Sequence, residues 1–176
     1  MSPKDWQRKV MDCGTTKREF ETLALVARGM GNGEIAQLTH CSIDAVKSRL
    51  RQSIMKLREP AAQIGVESMT RTGLAVVYLH ATVYKRPPIP LEWQQEVRWS
   101  LTNAERRVLE RIPQGLSNQQ VAEYVGLNAL TVKSYLLRAA PKLARFASAV
   151  EVVHANRTGL AVICLSAGIT KTAWPT

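Results

Sequence analysis

Apolar residues recur at helical spacing along most of the chain, and the polar residues between them fall where helices start and stop. Thr16 stands ahead of Phe20, Leu23, Ala24 and Ala27, with Glu19 three residues after it. That is a capping box: the hydroxyl accepts from a free backbone N–H and the carboxylate reaches back. The arrangement returns at Thr102 and Glu105, ahead of Val108, Leu109 and Ile112. Gly29 and Gly115 follow these runs, where a left-handed residue closes a helix. A second, shorter helix is expected after caps at Asn32 and Asn118. It buries Ile35, Ala36 and Leu38 in one place and Val121, Ala122 and Val125 in the other. Turn residues come next, Thr39–Cys41 and Gly126–Leu127, and then Ser42 and Asn128 cap a third helix. Its buried stripe is Val46, Leu50, Ser53 and Leu57, or Val132, Leu136, Ala139 and Leu143. A short helix, a tight turn and a longer basic helix make a helix-turn-helix. The expected fold is all-α, with two tandem helix-turn-helix domains of about four to five helices each.

The doubling of every element reflects an internal repeat. At a shift of 86 residues, positions 16–81 align without a gap to 102–167, with 22 identities in 66 positions. RTGLAV occurs at Arg71–Val76 and again at Arg157–Val162. Upstream, Pro3, Asp5, Trp6, Gln7 and Val10 match Pro90, Glu92, Trp93, Gln94 and Val97 at a shift of 87. Proline followed by an acidic residue suits a helix start, so each unit should open with a short helix that buries its tryptophan. The units are then 3–81 and 90–167. Between them, 82–89 reads as a proline-rich, semi-rigid linker, and 168–176 as a frayed tail.

Charge narrows the partners. Lys and Arg number 24 against 14 Asp and Glu, a net charge of +10 with a pI near 10.0. Such a balance favours a polyanionic partner, nucleic acid or an anionic surface. The three cysteines (Cys13, Cys41, Cys164) and three histidines (His40, His80, His154) are scattered, in no metal-ligand spacing. Free thiols suit a reducing cytoplasm. The N-terminus lacks the apolar core of a signal peptide, and no apolar run approaches the length of a membrane span. No P-loop, GxSxG or HExxH is present, so neither an enzyme nor a cofactor is expected.

The second unit resembles the LuxR/FixJ (GerE-type) helix-turn-helix. Leu101, Thr102, Glu105, Val108, Leu109, the run Gly115–Asn118, Val121, Ala122, Thr131, Val132, Lys133, Lys142 and Leu143 carry the likeness. The first unit carries it through Thr16, Arg18, Glu19, Gly29, Asn32, Glu34, Ile35, Ala36, Ser42, Val46, Lys47, Lys56 and Leu57. It departs at Gly31 and Ala45, where Ser and Thr are usual. The stretch from Ala45 to Glu59 is also similar to region four of extracytoplasmic-type sigma factors. Pro141 is a further departure, and the third helix of unit two should bend or end near Ala140.

This resemblance implies a regulator that places each third helix in the major groove of duplex DNA. The solvent face of that helix offers Asp44, Lys47, Ser48, Arg51 and Gln52 in unit one, and Thr131, Lys133, Ser134 and Arg138 in unit two. Lys and Arg suit phosphates or guanine edges, and Ser, Thr and Gln can add base contacts. An ordinary solvated charged face is the plain alternative. Leu137 stands where unit one has Arg51. The family's fourth helix commonly makes its dimer contact, and RTGLAV occupies that place, with Gly73, Ala75, Gly159 and Ala161 small enough for close helix approach; the plain alternative is a helix that only caps its own three-helix core. Two assemblies stay open, an intramolecular pseudo-dimer and a homodimer through these helices. The leading reading is a sequence-specific transcriptional regulator with two non-identical recognition helices. Its alternative is a module that binds RNA polymerase or another regulatory protein, with DNA secondary.

Overall fold

A computed structural model describes residues 3–82 and 89–170, and among these the regular structure is entirely helical. The helices are α1 (Pro3–Asp12), α2 (Lys17–Ala27), α3 (Asn32–Leu38), α4 (Ile43–Gln63) and α5 (Arg71–Thr82). After the segment 83–88, which lies outside the described residues and holds most of the expected linker, come α6 (Leu91–Trp99), α7 (Asn103–Leu109), α8 (Asn118–Val125), α9 (Ala129–Ala144) and α10 (Arg157–Ser166). The same order of elements thus runs twice.

The capping boxes form as the sequence dictates. Thr16 Oγ1 accepts from the Glu19 N–H, and the Glu19 carboxylate accepts from the Thr16 N–H at 2.7 Å. Thr102 and Glu105 repeat this. At the next helix the expected cap is displaced by one residue. The N-caps of α3 and α8 are Gly31 and Ser117, backed by Glu34 and Gln120, and Asn32 and Asn118 are the first helical residues. The amides of Asn32 and Asn118 have another partner: each accepts from an arginine of RTGLAV, Arg71 and Arg157 respectively. The third-helix caps are Ser42 and Asn128, as expected.

Other expectations are corrected. The helix opening at Thr102 stops at Leu109, and a 3-10 turn over Ile112–Gln114 carries the chain to Gly115. Pro113, where the first copy has Ala27, lacks the N–H that would continue the α-helix. α9 does not end near Ala140 but runs through Pro141 to Ala144. Pro141 and Leu137, whose carbonyl loses its donor, are both exposed, so water can meet that carbonyl, while Leu143 beyond it is fully buried. Leu38, expected in the core, is exposed; the position 86 residues on is Tyr124, likewise exposed. Trp6 is buried, but Trp93 is only partly so, stacked edge-on against Phe146. Ile169 is buried, its N–H bonded to the Cys164 carbonyl, so the last packed residue lies beyond Gly168.

The turn between the second and third helices needs a left-handed residue in both copies. Gly126 supplies it at φ 69°, whereas the first copy uses His40 at φ 47°.

At the centre lie α5 and α10. Apolar nearly all round, they read as interior helices, and from Thr72 to Leu79, Tyr78 apart, and from Thr158 to Leu165 their residues are buried. Each packs on the helices of its own copy, and the two pack on each other. Their contacts come in pairs 86 residues apart. Thr72 and Thr158, equivalent positions, bring their hydroxyls to 3.4 Å. The N–H groups of Glu67 and Ser68 donate to the Gln114 carbonyl, and those of Val153 and His154 to the Arg28 carbonyl. Thr70 donates to the Gly115 carbonyl and Asn156 to the Gly29 carbonyl.

Glycine makes this join passable. A Cβ on Gly115 would lie 1.9 Å from the Ser68 carbonyl oxygen, and one on Gly29 2.4 Å from that of His154. Gly73 and Gly159 face these same two carbonyls, at 2.5 and 2.0 Å from a built Cβ. The small residues of RTGLAV therefore admit a loop carbonyl, where helix–helix approach was expected of the two glycines.

Candidate nucleic-acid interface

α3 with α4, and α8 with α9, each form a short helix, a turn of four and three residues respectively, and a longer helix. What holds the longer helix in place is its inner stripe. Val46, Ser53 and Leu57 are buried with Leu50 partly so, and Val132, Leu136, Ala139 and Leu143 are buried.

A second clamp joins each longer helix to a capping box. Lys56 donates to both oxygens of Glu19 at 2.8 Å, and Lys142 to both oxygens of Glu105 at 2.8 and 2.7 Å. Both carboxylates are buried. Burial alone raises their pKa, but the bonds from lysine and from the Thr16 or Thr102 cap outweigh it, and both lie below the ordinary carboxylate value. The Lys-Leu pair quoted for the resemblance thus has a physical reason: the leucine fills the core and the lysine neutralises the buried cap.

The outward faces carry the residues singled out in the sequence. On α4, Asp44, Lys47, Ser48, Arg51 and Gln52 are all exposed. Asp44 pairs with its neighbour on this face, its Oδ1 accepting from Lys47 Nζ at 3.0 Å. On α9, Lys133, Ser134 and Arg138 are exposed, while Thr131 is half-buried with its N–H donating to Asn128 Oδ1. Ser134 Oγ donates to the Leu130 carbonyl, and the Arg138 guanidinium lies 6.0 Å from the Tyr135 ring. The faces differ most where Asp44 and Arg51 of α4 are replaced on α9 by Leu130 and Leu137, which are 76% and 65% exposed.

Residues 99–155 match the family described as bacterial regulatory proteins, luxR family. The match takes in α7, α8 and α9 and stops before α10. Neither the curated proteins nor the solved structures compared with the chain include a match. The matched segment is similar to LuxR-type regulatory helix-turn-helix domains, and α9 is the longer helix of the pair within it.

Two contacts of this region were not expected from the sequence. Arg71 and Arg157 tie the start of α5 and α10 to the start of α3 and α8, bonding the Met30 and Leu116 carbonyls besides the two asparagines. Burial lowers the pKa of both, that of Arg157 to about 10. Tyr124 donates to Glu67 of the other copy at 2.6 Å, with the Arg111 guanidinium 4.7 Å from its ring. The identity of RTGLAV in both copies was the available signal for the first, and nothing marked the second. Among the described residues no helix is long and apolar enough to cross a membrane.

Proposed function

We propose that this chain is a sequence-specific DNA-binding regulator that offers two unlike recognition helices, α4 and α9, from one polypeptide. The observation that carries the reading is the reciprocal set of contacts 86 residues apart, with Thr72 against Thr158 at its centre. Two-fold dimers of helix-turn-helix proteins meet two half-sites about one helical turn apart. Here the two-fold relation lies inside the chain. Units 3–81 and 90–167 act as the two halves, and the RTGLAV helices are spent on joining them. Lys47, Ser48, Arg51 and Gln52 face one half-site, and Thr131, Lys133, Ser134 and Arg138 the other. Because Arg51 answers to Leu137, the half-sites differ in sequence.

Selection of bound sequences from random duplex DNA, followed by footprinting, tests this. One chain should protect two adjacent, non-palindromic half-sites, with affinity falling steeply as salt rises. A palindromic site held by two chains, each through one unit, would sink the reading.

The exposed Leu130 and Leu137 favour a second reading for α9 alone. In it, this face meets RNA polymerase or another regulatory protein and α4 supplies the DNA contact. A footprint confined to one half-site, unchanged by Lys133→Glu, would select it.

A further inference from the structure

Where the two copies meet, a recess of about 360 Å³ opens beside the Thr72–Thr158 contact. Its lining comes in equivalent pairs, among them Arg71 with Arg157, Thr72 with Thr158 and Gly31 with Ser117. Among the described residues, no carboxylate lines it. Neither arginine has an ion pair with a described carboxylate. Arg71 has Glu34 nearby, but the oxygens of Glu34 are taken by the Gly31 N–H at 2.7 Å and His154 Nε2 at 2.6 Å. Each guanidinium spends one N–H on an asparagine and one on a carbonyl, which leaves part of its five-donor fork unspent.

Two partly buried cations line one recess, and Glu34 offsets only Arg71, so the arrangement stays short of negative charge. Like charges in a medium less polar than water repel, and desolvation adds to the penalty. α5 and α10 begin at these same arginines, so their N-terminal dipoles add positive potential there. A tetrahedral oxyanion relieves all three terms, because the guanidinium fork matches phosphate geometry.

We propose that this recess is a phosphate-binding site, in which Arg71 and Arg157 hold one phosphate group between the two copies. The group is either free phosphate or a backbone phosphate of a bound nucleic acid, and the site exists whether or not α4 and α9 read bases.

The test uses the whole chain without DNA first. Inorganic phosphate is titrated against sodium chloride at equal ionic strength, following the melting temperature and the Nε–H resonances of the arginines. Saturable shifts at Arg71 and Arg157 are expected, with a rise of about 4 °C in melting temperature at about 20 mM phosphate. Arg157→Lys should keep part of the rise and Arg157→Gln should lose most of it, while Lys17→Gln, on the outer surface, should keep it all. A rise equal in all variants, without saturable arginine shifts, is general exclusion of phosphate from the protein surface and overturns the proposal. Should Arg157→Gln fail to fold, the resonances of the unaltered chain still decide. Duplex DNA is then added. Phosphate displaced from the recess identifies the ligand as a backbone phosphate, and phosphate retained identifies it as a free anion.

Discussion

The Ser68 carbonyl oxygen occupies the space that a side chain on Gly115 would need, 1.9 Å from the position of its Cβ. Ser68 belongs to the loop before α5 and Gly115 to the turn before α8, so the join between the two copies rests on a missing methyl group. Gly115 also holds φ 79°. Gly115→Ala should destabilise the chain by about 3 kcal/mol, from left-handed strain plus a backbone clash. Gly126 is the matched control, with φ 69° and nothing within 4 Å of a built Cβ. Gly126→Ala should cost only about 1 kcal/mol. Urea unfolding of the two variants measures the difference; equal losses would mean that the approach of Ser68 contributes nothing.

Lys142 and Glu105 form the clamp between α9 and the start of α7. Lys142→Ala leaves Glu105 buried without its cation and should cost about 2 kcal/mol, discounted because the lysine side chain is 37% exposed. Both clamp carboxylates, Glu19 and Glu105, have depressed pKa values. Their contribution is therefore present above the unfolded pKa near 4.5 and is lost as pH falls through the folded values. Glu105→Gln should be less stable than the parent at pH 7, with the gap closing toward pH 3. A gap that stays constant over this range contradicts the assignment.

His80, packed edge-on to Trp6 and 2% exposed, has its pKa lowered by burial to about 4 from 6.5. The unfolded chain takes up a proton below pH 6.5 that the folded chain refuses until about pH 4. Stability is thus full above pH 6.5 and falls across that window by about 3 kcal/mol in total. Urea midpoints at pH 7 and pH 5 should differ in the parent chain and converge in His80→Gln. No loss between these pH values in the parent would overturn the account.

On the outer face of α4, Asp44 neutralises Lys47. Under the proposed function, Lys47→Glu and Lys133→Glu each weaken DNA binding by about tenfold and lower the dependence of log affinity on log salt by about 1. Asp44→Asn should do the reverse, freeing Lys47 and raising affinity a few-fold. Titrations of a selected duplex at several salt concentrations check both signs, and an Asp44→Asn variant that binds more weakly would show that Asp44 itself contacts the DNA.

Local chemistry was readable from the chain. Thr16, Glu19, Thr102 and Glu105 cap as their spacing dictates, and the stripes from Val46 and Val132 are buried, because both features depend on residues within a few turns. Errors arose where a distant group decided. Asn32 and Asn118 looked like caps but serve Arg71 and Arg157, which come 39 residues later. Pro141 was expected to bend or end the helix, and with Leu143 packed in the core α9 does not end there. The exposed residues of α4 and α9 follow from helical period alone. How the two faces stand relative to one another depends on the join at Thr72 and Thr158, which no local pattern encodes.

Under the proposed function, that join also removes an assembly step. A regulator made of separate subunits must pair before it can occupy a two-part site, so its occupancy at low abundance rises with roughly the square of its concentration. With α5 and α10 already packed together in one polypeptide, each half holds the other at a fixed effective concentration. Occupancy then rises in direct proportion to the number of chains made. Under the proposed function, the response is graded from the first copies synthesised, with no threshold to cross.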